Sequence, residues 1–90
     1  TTKRFDKALK LCKKRGYPIE ELRKAIAILV ENGSLPLEYK PHILHGNHEG
    51  EWEAHINPDW LLVWEQNDDE LTLLMLTTGT HSDVFGKTRR

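Results

Sequence analysis

A single cysteine, Cys12, excludes an internal disulfide. Its position on an apolar helical repeat predicts a reduced core thiol rather than a nucleophile. No apolar run approaches the roughly 18 residues of a membrane-spanning helix. The opening Thr1-Thr2-Lys3-Arg4 has no signal-peptide pattern, so the expectation is a cytoplasmic protein without membrane contact. Internal repeats, linkers and low-complexity segments are missing too, and 90 residues leave room for one hydrophobic core. A single domain over 1–90 is expected.

Net charge is also nearly absent, at −1, which argues against long-range attraction to nucleic acid. The charges are nevertheless segregated. Residues 1–15 set seven basic groups against Asp6, a balance of +6. Residues 16–86 set thirteen acids against Arg23, Lys24 and Lys40, a balance of −10, and Lys87, Arg89 and Arg90 return +3. Two basic ends around an acidic middle can hold phosphate locally.

What the sequence does have is periodicity. Phe5, Ala8, Leu9 and Cys12 recur at i, i+3, i+4 and i+7, behind Thr1 or Thr2 as a cap. Gly16, after Lys13-Lys14-Arg15, suits a helix end. Pro18 opens a second helix with Glu20 and Glu21 in its first turn. Ile19, Leu22, Ile26, Leu29 and Val30 form its apolar stripe, and Asn32-Gly33 ends it. Together these segments predict a helical hairpin over 1–33.

The period changes to two after Pro36. Trp52, Ala54 and Ile56 face a core while Glu51, Glu53 and His55 face solvent. Asn57-Pro58-Asp59 is a turn, and Trp60 to Trp64 reads as a central strand. Asn67-Asp68-Asp69-Glu70 is a second turn, Leu71 to Leu76 a further buried strand, and Gly79 breaks it. His81 to Phe85 reads as a loop or short helical turn. The expected fold class is α+β, with the N-terminal helical hairpin packed on a small twisted antiparallel sheet and 40–86 carrying sheet and site.

Five histidines, at 42, 45, 48, 55 and 81, all lie outside the helical hairpin. The spacing His42-x2-His45-x2-His48 invites a metal reading, but Pro41, Gly46 and Gly50 make the stretch a loop and no cysteine joins it. Solvated loop histidines are the plainer reading. His55 shares its strand face with Glu51 and Glu53, and Asp59 follows a proline-fixed turn. In a meander, His55 and His81 can converge across the central strand beside Asp59. Two imidazoles suit RNA cleavage, one removing the 2′-OH proton and the other protonating the departing 5′-oxygen. Two ordinary surface histidines fit the same spacing.

The stretch Ala54-His55-Ile56-Asn57-Pro58-Asp59-Trp60-Leu61-Leu62-Val63-Trp64, followed by Thr78-Gly79-Thr80-His81-Ser82-Asp83-Val84-Phe85-Gly86, resembles the YafQ branch of the RelE superfamily. Lys13-Lys14-Arg15-Gly16-Tyr17, Leu35-Pro36-Leu37 and Pro41-His42-Ile43-Leu44-His45-Gly46 are similar to the same group in matching order. The resemblance implies a microbial-RNase-like fold and a ribosome-dependent mRNA endoribonuclease. Such a toxin cleaves mRNA in the ribosomal A site without metal or other cofactor and is held by a cognate antitoxin. Carried over, the catalytic positions are His42, His55, Asp59, His81 and Phe85, with His81 as general acid and His55 or Asp59 taking the 2′-OH proton. His42 would orient the phosphate or share proton duty. Phe85 could stack on a base. Trp60 could do the same or be buried.

Lys3, Lys7, Lys10, Lys13, Lys14 and Arg15 cover the exposed side of the first helix. With Lys87 they are candidate rRNA contacts, a solvated helix face being the alternative. Many relatives carry arginines where this chain has Trp52 and Thr77, and they open with a short strand before the first helix. Stabilising the phosphorane without those arginines falls to protonated histidine, to backbone amides near Gly79, or to Lys40, Lys87, Arg89 or the ribosome. Two other readings stand beside the nuclease: a weakly active or inactive antitoxin-binding module of the same fold, and a small metal protein built on residues 42, 45 and 48.

Overall fold

A computed structural model describes residues 2–44, 50–67 and 72–85, with Thr72, His81 and Phe85 described by their backbone alone. The element order is α1 (Lys3–Lys14), α2 (Ile19–Asn32), a 3-10 turn (Leu37–Tyr39), β1 (His42–Ile43), β2 (Glu51–Asn57), β3 (Trp60–Asn67), β4 (Thr72–Gly79) and α3 (His81–Phe85). The strands form one antiparallel meander in the order β1-β2-β3-β4.

Thr2 caps α1, its side chain accepting the Phe5 N–H at 3.0 Å. The same residue ties the helix to the free side of β4. Its N–H reaches the Met75 carbonyl at 3.3 Å, and its hydroxyl lies 3.1 Å from the carbonyls of Met75 and Leu76. Gly33 ends α2 in the left-handed conformation (φ +73°), and its N–H closes on the Leu29 carbonyl at 2.7 Å.

The two helices cover one face of the sheet. Phe5, Cys12, Leu22, Ala25 and Leu29 pack there against Ala54, Trp60, Leu62, Trp64 and Met75. Val30, expected on the inner stripe of α2, is 65% exposed. The buried line runs through Leu22, Ala25 and Leu29 instead, which share one side at 100° per residue. The opposite sheet face has its own small core, in which Leu61 and Val63 meet Val84 of α3, with Leu44 and Leu76 at its margin. β3 is therefore buried on both sides, the physical reason that Trp60 to Trp64 is apolar without alternation.

The expectation for Glu53 is corrected. Strand alternation placed it on a wet face, but it is 4% exposed, set between His42 of β1 and Val63 of β3, the latter part of this second core. β1 itself was expected as loop. Among the described residues, no helix is long and apolar enough to cross a membrane.

Candidate active site

His42 sits on β1 directly opposite Glu53 of β2. Paired residues project from the same side of a sheet, and the imidazole Nε2 lies 3.1 Å from Glu53 Oε1. The other ring nitrogen, Nδ1, lies 3.1 Å from the Lys40 carbonyl. A carbonyl can only accept, so in this contact Nδ1 carries the proton. Lys40 is the one non-glycine with positive φ (+50°) among the described residues. The 3-10 turn closes on it, with its N–H on the Leu37 carbonyl at 2.9 Å. This uncommon backbone state points the Lys40 carbonyl at the ring. Glu53 keeps one buried oxygen, Oε2, with no hydrogen-bond partner among the described residues.

His55 lies two residues beyond Glu53 on the same pleat face. It is paired with Leu61 of β3, and Leu61 with Gly79 of β4. His55 and Gly79 thus flank the central strand in one row, roughly 10 Å apart at normal strand spacing. Between His55 and Asn57 the register shifts, leaving Ile56 as a bulge just before the turn. Asp59 is exposed at the tip of that turn, its N–H held by the Asn57 side chain at 3.1 Å. It borders a cleft of about 240 Å³ with Tyr17, Pro18, Asn57 and Trp60. Trp60 is structural. It is 1% exposed, its Nε1–H donates to Thr78 Oγ1 at 2.9 Å, and Tyr17 meets its ring edge-on at 5.1 Å.

α3 begins two residues after Gly79, so the backbone of His81 stands at the same end of the sheet as His55, and the Phe85 backbone ends the turn. Gly79 has φ +141°, and a Cβ there would lie 2.8 Å from the Asp83 Cβ, so only glycine permits this approach. Asp83 accepts the Thr80 N–H at 3.0 Å while Thr80 Oγ1 accepts the Asp83 N–H at 3.2 Å, a reciprocal box at the start of α3. Arg15, at the end of α1, forks onto the same carboxylate at 2.5 and 3.3 Å. Chiefly through that hydrogen bond, the Asp83 carboxyl is lowered to about 2 and the Arg15 guanidinium is held still more firmly charged. Burial pushes the Cys12 thiol up, and at 1% exposure it is the inert core group expected.

Lys3, Lys7, Lys10, Lys13 and Lys14 are exposed on α1. Arg15 differs from them, being committed to Asp83. A groove of about 410 Å³ between α1 and the end of β4 is lined by Arg4, Lys7, Ala8, Leu11, Thr77, Thr78 and Asp83. Thr77, where relatives were expected to carry arginine, is 4% exposed. His45, His48, Lys87 and Arg89 lie outside the described residues, as do the side chains of His81 and Phe85.

Sequence reasoning missed Glu53 and the Arg15–Asp83 pair. A signal existed for the first. An uninterrupted apolar β3 requires both faces to be covered, so neighbours on either face of β2 are sheltered too. For the second, Arg15 and Asp83 are 68 positions apart and no local pattern links them.

Comparison with known proteins agrees with this architecture. The family model described as the bacterial toxin of type II toxin–antitoxin systems, YafQ, matches residues 1–86. The mRNA interferase toxin YafQ of Escherichia coli K12 is 36% identical over 83 residues, covering 91% of this chain and 88% of that protein. YafQ from E. coli BL21(DE3) superposes with a TM-score of 0.87 at 34% identity, covering 94% and 93% of the two chains. YafQ in the E. coli DinJ–YafQ complex gives 0.86 at 35% identity over 94% and 93%. A metal-bound toxin from Helicobacter pylori gives 0.83 at 37% identity over 93% of each chain. By sequence and by fold, the chain belongs to the YafQ family of toxins of type II toxin–antitoxin systems.

Proposed function

We propose that this protein is a ribosome-dependent mRNA endoribonuclease of the cytoplasm that cleaves A-site mRNA without a metal, blocks translation, and is neutralised by a cognate antitoxin. The observation that carries this reading is the shared sheet face. His42, Glu53 and His55 occupy the face opposite the helical hairpin, and α3, which begins with His81, packs through Val84 onto that same face. Relatives support it: the curated E. coli protein is named an mRNA interferase, and YafQ there is solved in complex with DinJ.

In this mechanism His55 or Asp59 takes the 2′-OH proton, the 2′-oxygen attacks phosphorus, and the bond from phosphorus to the 5′-oxygen breaks. His81 gives its proton to that 5′-oxygen, leaving a 2′,3′-cyclic phosphate and a free 5′-hydroxyl. His42 orients the phosphate. The Lys40 carbonyl fixes its ring through Nδ1–H and leaves Nε2 over the sheet face, where Glu53 engages it. Phe85 stacks on a base.

The test uses programmed ribosomes, with mRNA ends mapped by primer extension. Wild-type protein is expected to cleave in the A site, with or without chelator, and His81→Ala to abolish cleavage. Chelator-sensitive cleavage would favour the metal reading. No cleavage at any dose would leave an antitoxin-binding module, the reading that the buried, neutral Thr77 favours.

A further inference from the structure

α3 is five residues long, far too short to hold itself in water. Its position must come from contacts outside it, and four are visible. Val84, 8% exposed, packs on Leu61 and Val63. Arg4 donates from Nη2 to the Val84 carbonyl at 3.3 Å. Thr80 and Asp83 close the first turn on each other. Arg15 reaches Asp83 with both guanidinium nitrogens. Two of the four come from α1, so the turn that begins with His81 is pinned to the basic helix by arginines at its two ends, Arg4 and Arg15.

Bidentate geometry makes the Arg15 contact directional as well as attractive, because the planar fork fixes the plane of the carboxylate. Asp83 follows His81 by two residues and accepts the Thr80 N–H, so fixing this carboxylate fixes the backbone on both sides of His81. Gly79 lets the turn lie against the strand end closely enough for this to happen. The two side chains keep 37% and 23% exposure, so the pair adds little to global stability. Its effect is local, on the orientation of one turn.

We propose that Arg15 and Asp83 are positioning residues for His81, and that Arg15 acts by clamping α3 rather than by binding phosphate. The proposal rests on the assignment of His81 as general acid.

Arg15→Gln and Asp83→Asn keep the size of each group, and the asparagine can still accept the Thr80 N–H. On saturated programmed ribosomes, each is expected to slow single-turnover cleavage about tenfold to a hundredfold, the cost of an ångström-scale misplacement. Ribosome affinity should stay within about twofold. The double variant should be no slower than either single one, since both break one contact. The pH–rate profile of cleavage should also move in both single variants relative to wild type. Asp83→Asn cleaving at the wild-type rate, or an Arg15→Gln defect lying wholly in ribosome affinity, would overturn the clamp. Ring NMR signals of His81 in the free protein give an answer independent of cleavage. They are expected to shift in both variants, and unmoved signals reject the clamp even if the nuclease reading fails for other reasons.

Discussion

Glu53 and His42 hold each other unequally. The carboxylate is 5% exposed and the imidazole 49%, so the histidine can find water if its partner leaves, while the carboxylate cannot. Removing His42 strands both oxygens of Glu53 under the second core, since Oε2 already lacks a partner among the described residues. His42→Ala is therefore expected to cost about 1–3 kcal/mol, the price of an unsatisfied buried acceptor. Adding Glu53→Gln to that background should recover part of the loss, because a neutral amide is less costly to bury than a charge. Urea unfolding of the two variants checks both statements. Equal midpoints for wild type and His42→Ala would show that the contact is idle. The same asymmetry fits the proposed chemistry: a ring anchored at one edge by a carbonyl and engaged at the other by a carboxylate is oriented before substrate arrives.

At the level of the element, α1 does three jobs with three sides. Phe5, Leu9 and Cys12 go inward. Arg4 and Arg15 go to α3. Lys3, Lys7, Lys10 and Lys14 recur at i, i+4, i+7 and i+11, a stripe opposite the buried side. If that stripe meets ribosomal RNA, charge reversal of its four lysines should flatten the dependence of log affinity on log salt by roughly 3, at about 0.7–0.9 per phosphate contact. An unchanged slope in a ribosome-binding titration would leave a merely solvated face. The stripe was legible from spacing alone, as were both helices, the three longer strands and the Asn57-Pro58-Asp59 turn, because each is written in a local period. The expected turn at 67–70 lies mostly outside the described residues, and Leu74, expected within a buried strand, is 38% exposed. The site was less so. β1 is two residues beside Pro41 and has no period to read. Glu53 is buried between His42 and Val63 of the neighbouring strands, which the period of its own strand does not show. The Arg15–Asp83 pair joins the two ends of the chain. His55, Asp59 and His81 stood out through the meander and its turn, whereas His42 was promoted from loop histidine to site candidate by family resemblance. The placement of His42 and His55 on one sheet face follows from the meander register.

For the molecule as a whole, the sheet separates two cores, and α1 is the element that reaches past the β4 edge to serve both. The Arg15–Asp83 pair is the ionic part of that link, and its response to pH can be predicted. Asp83 has an ordinary carboxyl value of 3.8 when unstructured and about 2 in the fold. A carboxylate lowered on folding stabilises the fold fully above its unfolded value, and the benefit fades as pH falls through the folded one. The charges facing Asp83 are Arg15, with Arg4 and Lys7 lining the same groove. Among the described residues Arg15 is the charged group named as a partner of this carboxylate, and comparing wild type with Asp83→Asn isolates its titration from that of the other carboxylates. The stability difference between wild type and Asp83→Asn should hence be flat from about pH 5 to 8 and close between about pH 4 and 2. Thermal unfolding of the two proteins across that range measures it. A difference that instead closed between about pH 7 and 5 would place the coupling on a histidine. Constancy near neutrality has a functional side as well. In the proposed mechanism His81 gives up its proton during cleavage, and the contact that sets its turn stays charged at neutral pH.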